Sequence, residues 1–165
     1  MSTQDAFARS AAGAAAGLLA TVPMTAAMKL AQHALPPHQR HPLPPRRITL
    51  RALRKVGLRP HIHLNESQRR GLTLAAHFGY GTGAGALFGL FAPRNTREAV
   101  SAGVGYGLLV WAASYLGLMP ALDLHPSATR ESPGRNAMMI AAHVAWGAAL
   151  GAGAGALHRV GRKGA

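Results

Sequence analysis

At 165 residues and 17.1 kDa, the chain is long enough for one ordinary soluble domain or a small set of membrane helices. Its apolar fraction is 48%, much of it alanine, beside 20 glycines and only 5% aromatics; this is too little bulk to fill a soluble core but suits membrane helices that approach closely. The absence of cysteine excludes disulfides, thiol nucleophiles and zinc–thiolate sites, while a net charge of +13 calls for a polyanionic neighbour.

Residues 1–10 read as a short polar tail. The first apolar run, 11–28, carries Gly13 and Gly17 four apart and Pro23 within it. A membrane helix tolerates that proline, because Thr21, Thr25 or a neighbouring helix can satisfy the freed carbonyl. A cleaved signal peptide is the competing reading, disfavoured by Asp5 and by the length of the run. The loop 33–70 is polar and holds nine of the 18 Lys and Arg. Pro36, Pro37, Pro42, Pro44 and Pro45 argue against regular structure at its start. Residues 46–58 then read as a short amphipathic helix. Ile48, Leu50, Leu53 and Val56 share its apolar face, and Arg47, Arg51, Arg54 and Lys55 cluster opposite. Arg46, Arg47, Arg51, Arg54 and Lys55 form a basic surface suited to anionic lipid headgroups; the alternative is a helix packed on the end of a bundle. Direct nucleic-acid binding is not expected, because no nucleic-acid motif accompanies the charge.

Asn65 and Ser67 are candidate caps for a second span, 71–91, which Pro93 stops. A tight connection leads to a third span, 99–118, ended by Pro120. The turn-rich loop 123–135 precedes a fourth span, 136–157, and a basic tail with Arg159, Arg162 and Lys163. The expected fold is therefore an all-α membrane protein, one integral membrane domain over 1–165, with four transmembrane helices as two tandem helical hairpins and an interfacial helix in the first loop.

The hairpins look like a duplication. Ala75-Ala76-His77 recurs as Ala141-Ala142-His143, with Tyr80 answered by Trp146, Gly81 by Gly147 and Gly85 by Gly151. Gly13 and Gly17 match Gly103 and Gly107 at an offset of 90, against 66 for the other pair; the difference of 24 residues falls in the first loop. Both copies must then run in the same direction. Loops 33–70 and 123–135 lie on one side with eleven Lys and Arg, against six on the other. The positive-inside rule puts these loops in the cytoplasm and both termini outside.

His77 and His143 lie seven and eight residues beyond Arg70 and Arg135, roughly 10–12 Å into the membrane from one side. Steps of four place each on a glycine row, 77-81-85-89 and 143-147-151-155, so each should face a partner helix. Three readings compete for the candidate intramembrane polar site His77, His143, Tyr80 and Trp146. These are hydrogen bonding across the interface, a proton relay or pore lining in an oligomeric channel or transporter subunit, and axial ligation of one haem b with Arg69 and Arg135 near its propionates. His61 and His63, with His33, His38 and His41, suggest a metal site only weakly, since no carboxylate or cysteine accompanies them. No cofactor and no metal are expected as the leading reading, and no catalytic constellation is visible, so the chain does not read as an enzyme.

Leu116-Gly117-Leu118-Met119-Pro120-Ala121-Leu122-Asp123-Leu124 and Ala142-His143-Val144-Ala145-Trp146 resemble the C-terminal half of the YagU-like family, small bacterial inner-membrane proteins of unassigned function. His77 would match a similar His in the family's preceding half. The basic loop and the Ala/Gly-rich first span depart from that family, which leaves a sister group open. The resemblance implies the bacterial inner membrane and no known activity or ligand. The expected function is that of a non-enzymatic inner-membrane protein whose basic loop contacts anionic lipid, with an envelope or stress role and the capacity to form homo-oligomers.

Overall fold

The computed structural model describes residues 2–59 and 63–163, with the side chains of His158 and of residues 160–163 left aside. Among them every regular element is helical. Helix α1 spans Thr3–Ala34, α2 Pro44–Lys55, α3 Glu66–Phe91, α4 Thr96–Ala112 and α5 Pro133–Lys163. Helix α4 continues through a π-helical stretch, Ala113–Leu118, and a last turn, Met119–Ala121. Among the described residues three helices are long and apolar enough to cross a membrane: Thr3–Ala34, Thr96–Ala121 and Pro133–Leu157. Helix α3 is not among them, because glycines, His77 and Tyr80 dilute its apolar residues.

Several boundaries differ from those expected, each for a local reason. Residues 3–10 are helical rather than a tail, because Ser2 and Asp5 cap each other's backbone N–H groups in a capping box. Arg9 then reaches across and donates to the carbonyls of Gly89 and Ala92, at 3.2 and 2.7 Å, closing the C-terminus of α3. Pro44 and Pro45 start α2 instead of preventing it, since the first helical positions need no N–H. That helix stops before Gly57, whose φ of +86° lets the Leu58 N–H turn back to the carbonyl of Leu53. Asn65 caps α3 with Gln68 as expected, whereas Ser67 lies inside the helix. Pro120 does not end α4, because the π-helical stretch carries the chain past it. Asp123, at φ +48°, supplies the left-handed turn that closes the end.

The helices run up and down in alternation. Glycine sets the closest approaches. A Cβ on Gly13 would strike the carbonyl oxygen of Gly85, and one on Gly17 that of Gly81, so α1 and α3 touch backbone to backbone. On the other side Gly103 lies against Gly147, and Gly107 against the carbonyl of His143. The two seams differ by one turn: Gly17 meets Gly81, but Gly107 meets a residue four positions earlier than the 66-residue correspondence gives. Helices α1 and α5 join the two pairs, with Gly153 against Ala16 and Met28, Leu150 and Ala154 buried to 1% exposure or less. The remaining seam, α3 to α4, is thin. Tyr106 donates to the carbonyl of Ala84 across it (2.9 Å), and Phe88, Phe91, Tyr106 and Trp146 form an aromatic row at its far end.

Candidate functional site

Where α3 and α4 part, the helices enclose a cavity of about 230 Å³. All five helices reach it. Thr21, Met24 and Met28 come from one face of α1, at spacings of three and four. Helix α2 closes one side with Pro45, Ile48 and Thr49. Ala76, His77, Tyr80 and Gly81 come from α3, and Met139, His143 and Trp146 from α5. Helix α4 contributes Val110, Ser114, Tyr115 and Met119. Its wide turn brings Ser114 and Tyr115 inward on consecutive positions, both buried, and such insertions recur at functional sites.

The polar atoms of this cavity are poorly satisfied. His143 is 4% exposed, and its Nδ1 lies 2.7 Å from the carbonyl oxygen of Met139. A carbonyl only accepts, so Nδ1 carries the proton and a neutral ring keeps its Nε2 lone pair. The Tyr115 ring packs edge-on against His143 at 5.9 Å and against His125 at 5.5 Å, fixing both. His77 Nε2 and Trp146 Nε1 are buried without a hydrogen-bond partner. Each such group costs about 1–3 kcal/mol, and a buried polar atom left unpaired calls for an explanation. Tyr80 and Ser114 share a hydrogen bond of 2.8 Å across the thin seam. Tyr80 itself is 47% exposed, so the cavity has its rim on α3.

His77, His143, Tyr80 and Trp146, singled out from the repeat, thus border one void. The expected hydrogen bond from each His to a partner helix is absent: His143 bonds its own helix, and His77 Nε2 bonds nothing. The four methionines, Tyr115 and the contribution of α2 were not foreseen. Gly13, Gly17, Gly85, Gly103, Gly107 and Gly151 lie outside the cavity, in the helix seams.

The basic face of α2 turns largely onto the protein. Arg46 makes a two-pronged pair with Glu66 at 2.7 and 2.9 Å. Arg46, then Arg70 and Arg69, hold that carboxyl well below its usual range. Arg47 reaches Glu131 at 3.4 Å, and Lys55 and Arg51 approach Asp123 at 3.5 and 4.0 Å. Arg54 is exposed and has no ion pair among the described residues. Beneath α2, Arg135, 3% exposed, binds Glu131 at 2.9 Å and the carbonyls of Gln39 and His41. Burial keeps the nearby His125 imidazole below its ordinary pKa.

A haem does not fit these facts. The cavity is smaller than the roughly 300–1,000 Å³ usual for organic ligands, and Arg69 and Arg135 are committed to Glu66 and Glu131. His61 lies outside the described residues, and His63 Nδ1 accepts from the Arg59 N–H at 3.1 Å. Among the described residues, no three or more His, Cys, Asp or Glu side chains are grouped to hold a metal.

The family model for a protein of unknown function, DUF1440, matches residues 23–151. The chain belongs to the DUF1440 family. The matched region holds the cavity-lining residues except Thr21, so the void is built almost wholly from family-matched sequence. No curated protein matches the chain, and no solved structure does.

Proposed function

We propose that this DUF1440 protein crosses the membrane four times and receives a small ligand in the cavity bordered by His77, His143, Tyr80 and Trp146. One observation carries the reading: His77, Tyr80, His143 and Trp146, from α3 and α5, border a single void that reaches all five helices. An apolar void on which a few polar side chains converge is the usual form of a ligand site, and ionisable residues within membrane helices mark binding or conduction paths. Helix α3 counts as the fourth span because it packs along α1 over glycines from Gly81 to Gly89. The Gly13/Gly17 and Gly103/Gly107 rows support two hairpins descended from one.

The likeness to the YagU-like family favours the bacterial inner membrane. The charge balance puts α2 and the loop before α5 in the cytoplasm. Arg54, Arg70 and Arg130, exposed at that end, suit anionic headgroups, with α2 docked as a lid rather than lying free. The role is binding or conduction rather than catalysis, since the lining carries no carboxylate and no activated nucleophile.

Because the chain has no cysteine, one introduced thiol reports on the cavity alone. Ser114→Cys should react with a small membrane-permeant thiol reagent at least tenfold faster than Ala154→Cys, which sits at 0% exposure in a packed seam. Equal inertness of the two would overturn the proposal.

A further inference from the structure

The cavity's sulfur content points beyond a generic ligand. The chain has 6 methionines, and Met24, Met28, Met119 and Met139 all border this void, drawn from three different helices. They share it with His77 and His143. Thioether sulfur and neutral imidazole are soft to borderline donors, and a set rich in thioether selects soft ions. One ring is prepared for the task. The His143 Nδ1–H is fixed on the Met139 carbonyl, which aims the chemistry of the ring through Nε2. The His77 ring adds to the wall, with its Nε2 covered by protein.

Charge narrows the choice further. Among the described residues no Asp, Glu, Lys or Arg lines the cavity, so its donors are all neutral. A divalent ion would bring two uncompensated charges into a low-dielectric interior, at a desolvation cost that neutral donors repay poorly. A monovalent soft ion brings one, and it is weakly hydrated enough to exchange water for sulfur. The indole of Trp146, a fourth part of the same wall, adds an aromatic face that attracts cations.

The geometry points to a site for a monovalent soft metal ion, Cu(I) or Ag(I), held by His143 with Met28 and Met139, the two most buried of the four methionines, while Met24, Met119 and His77 complete the wall. This deepens the proposed ligand site and rests on it. Met138, equally buried at 4%, is the neighbour of Met139 and does not border the void, so buried methionine is available as an internal control.

The test uses the full-length protein in detergent, with Cu(I) kept reduced and buffered by a coloured Cu(I) chelator. The protein should withdraw one equivalent. The double substitution Met28→Leu/Met139→Leu preserves volume and should weaken binding at least tenfold, with Met138→Leu unchanged and Zn(II) not taken up. Retained helical circular dichroism checks folding. Should the double variant fail to fold, Ag(I) titration of the Trp111→Phe protein gives the second reading, since Trp146 is then the sole indole and should be quenched at one equivalent. No Cu(I) uptake, or Met28→Leu/Met139→Leu behaving as Met138→Leu, would overturn the assignment. If Ser114→Cys still reacts while Cu(I) is refused, the metal falls and the cavity stands; if both fail, both fall.

Discussion

Gly17→Ala probes the backbone seam on which the arrangement of the cavity depends. A Cβ there would lie 2.9 Å from the Cα of Gly85 and still nearer the carbonyl oxygen of Gly81. Ordinary contact begins at 3.4 Å, and the obstacle is backbone rather than a movable side chain, so α1 and α3 must separate by at least half an ångström. A radial gap of about 0.5–1 Å forfeits a quarter to a half of each contact's dispersion energy. Overpacking of this kind costs about 1–3 kcal/mol. Gly83 supplies the control: it lies on the same helix as Gly81, but a Cβ there would meet nothing within 4 Å. Reversible unfolding in mixed detergent micelles should show Gly17→Ala destabilised by that amount, with Gly83→Ala neutral or stabilised. Equal stability of the two variants would refute the backbone contact between α1 and α3.

The remaining predictions concern the two ends of the bundle. Arg9→Met should cost about 1.5–3 kcal/mol of unfolding free energy through the two charge-assisted hydrogen bonds lost at the end of α3; no change would mean that solvent replaces them. Glu131→Gln should cost about 3–5 kcal/mol in the same assay, because it strands the buried Arg135 guanidinium, whereas Arg46→Ala at the solvated Glu66 pair should cost under about 1. His125 gives a pH dependence. Its folded pKa lies below the ordinary imidazole value of about 6.5 because it is buried, so the unfolded chain takes up the proton first on acidification. Its contribution is therefore intact above about pH 6.5 and declines below that value. His125→Gln should flatten the fall in melting temperature between about pH 7 and 5.5; an unaltered slope would assign the fall to other groups.

Helical periodicity made the glycine rows and their four-step spacing legible, because one residue type at one interval decides which faces can approach. Pro93 as a stop and Asn65 as a cap were readable for the same local reason. Local chemistry was also present where the sequence reading erred. The Ser2–Asp5 capping box outweighs the polarity of residues 3–10, and prolines at the first positions of α2 are compatible with helix. The wide turn at 113–118 has no such signal, and without it Pro120 looks like an ending. The paired His77 and His143 were visible as a repeat, but their shared void was not. It depends on residues from five helices converging, the methionines of α1, α4 and α5 among them, which only tertiary packing determines.

Whether α3 crosses the membrane decides the account, since the cavity is intramembrane only if it does. Val56, 75% exposed just after α2, and Arg94, exposed between α3 and α4, flank that helix. In intact cells, with the protein otherwise free of cysteine, an impermeant thiol reagent should label Arg94→Cys from outside and leave Val56→Cys untouched until the cells are opened. Labelling of both positions from the same side would contradict the four-span arrangement.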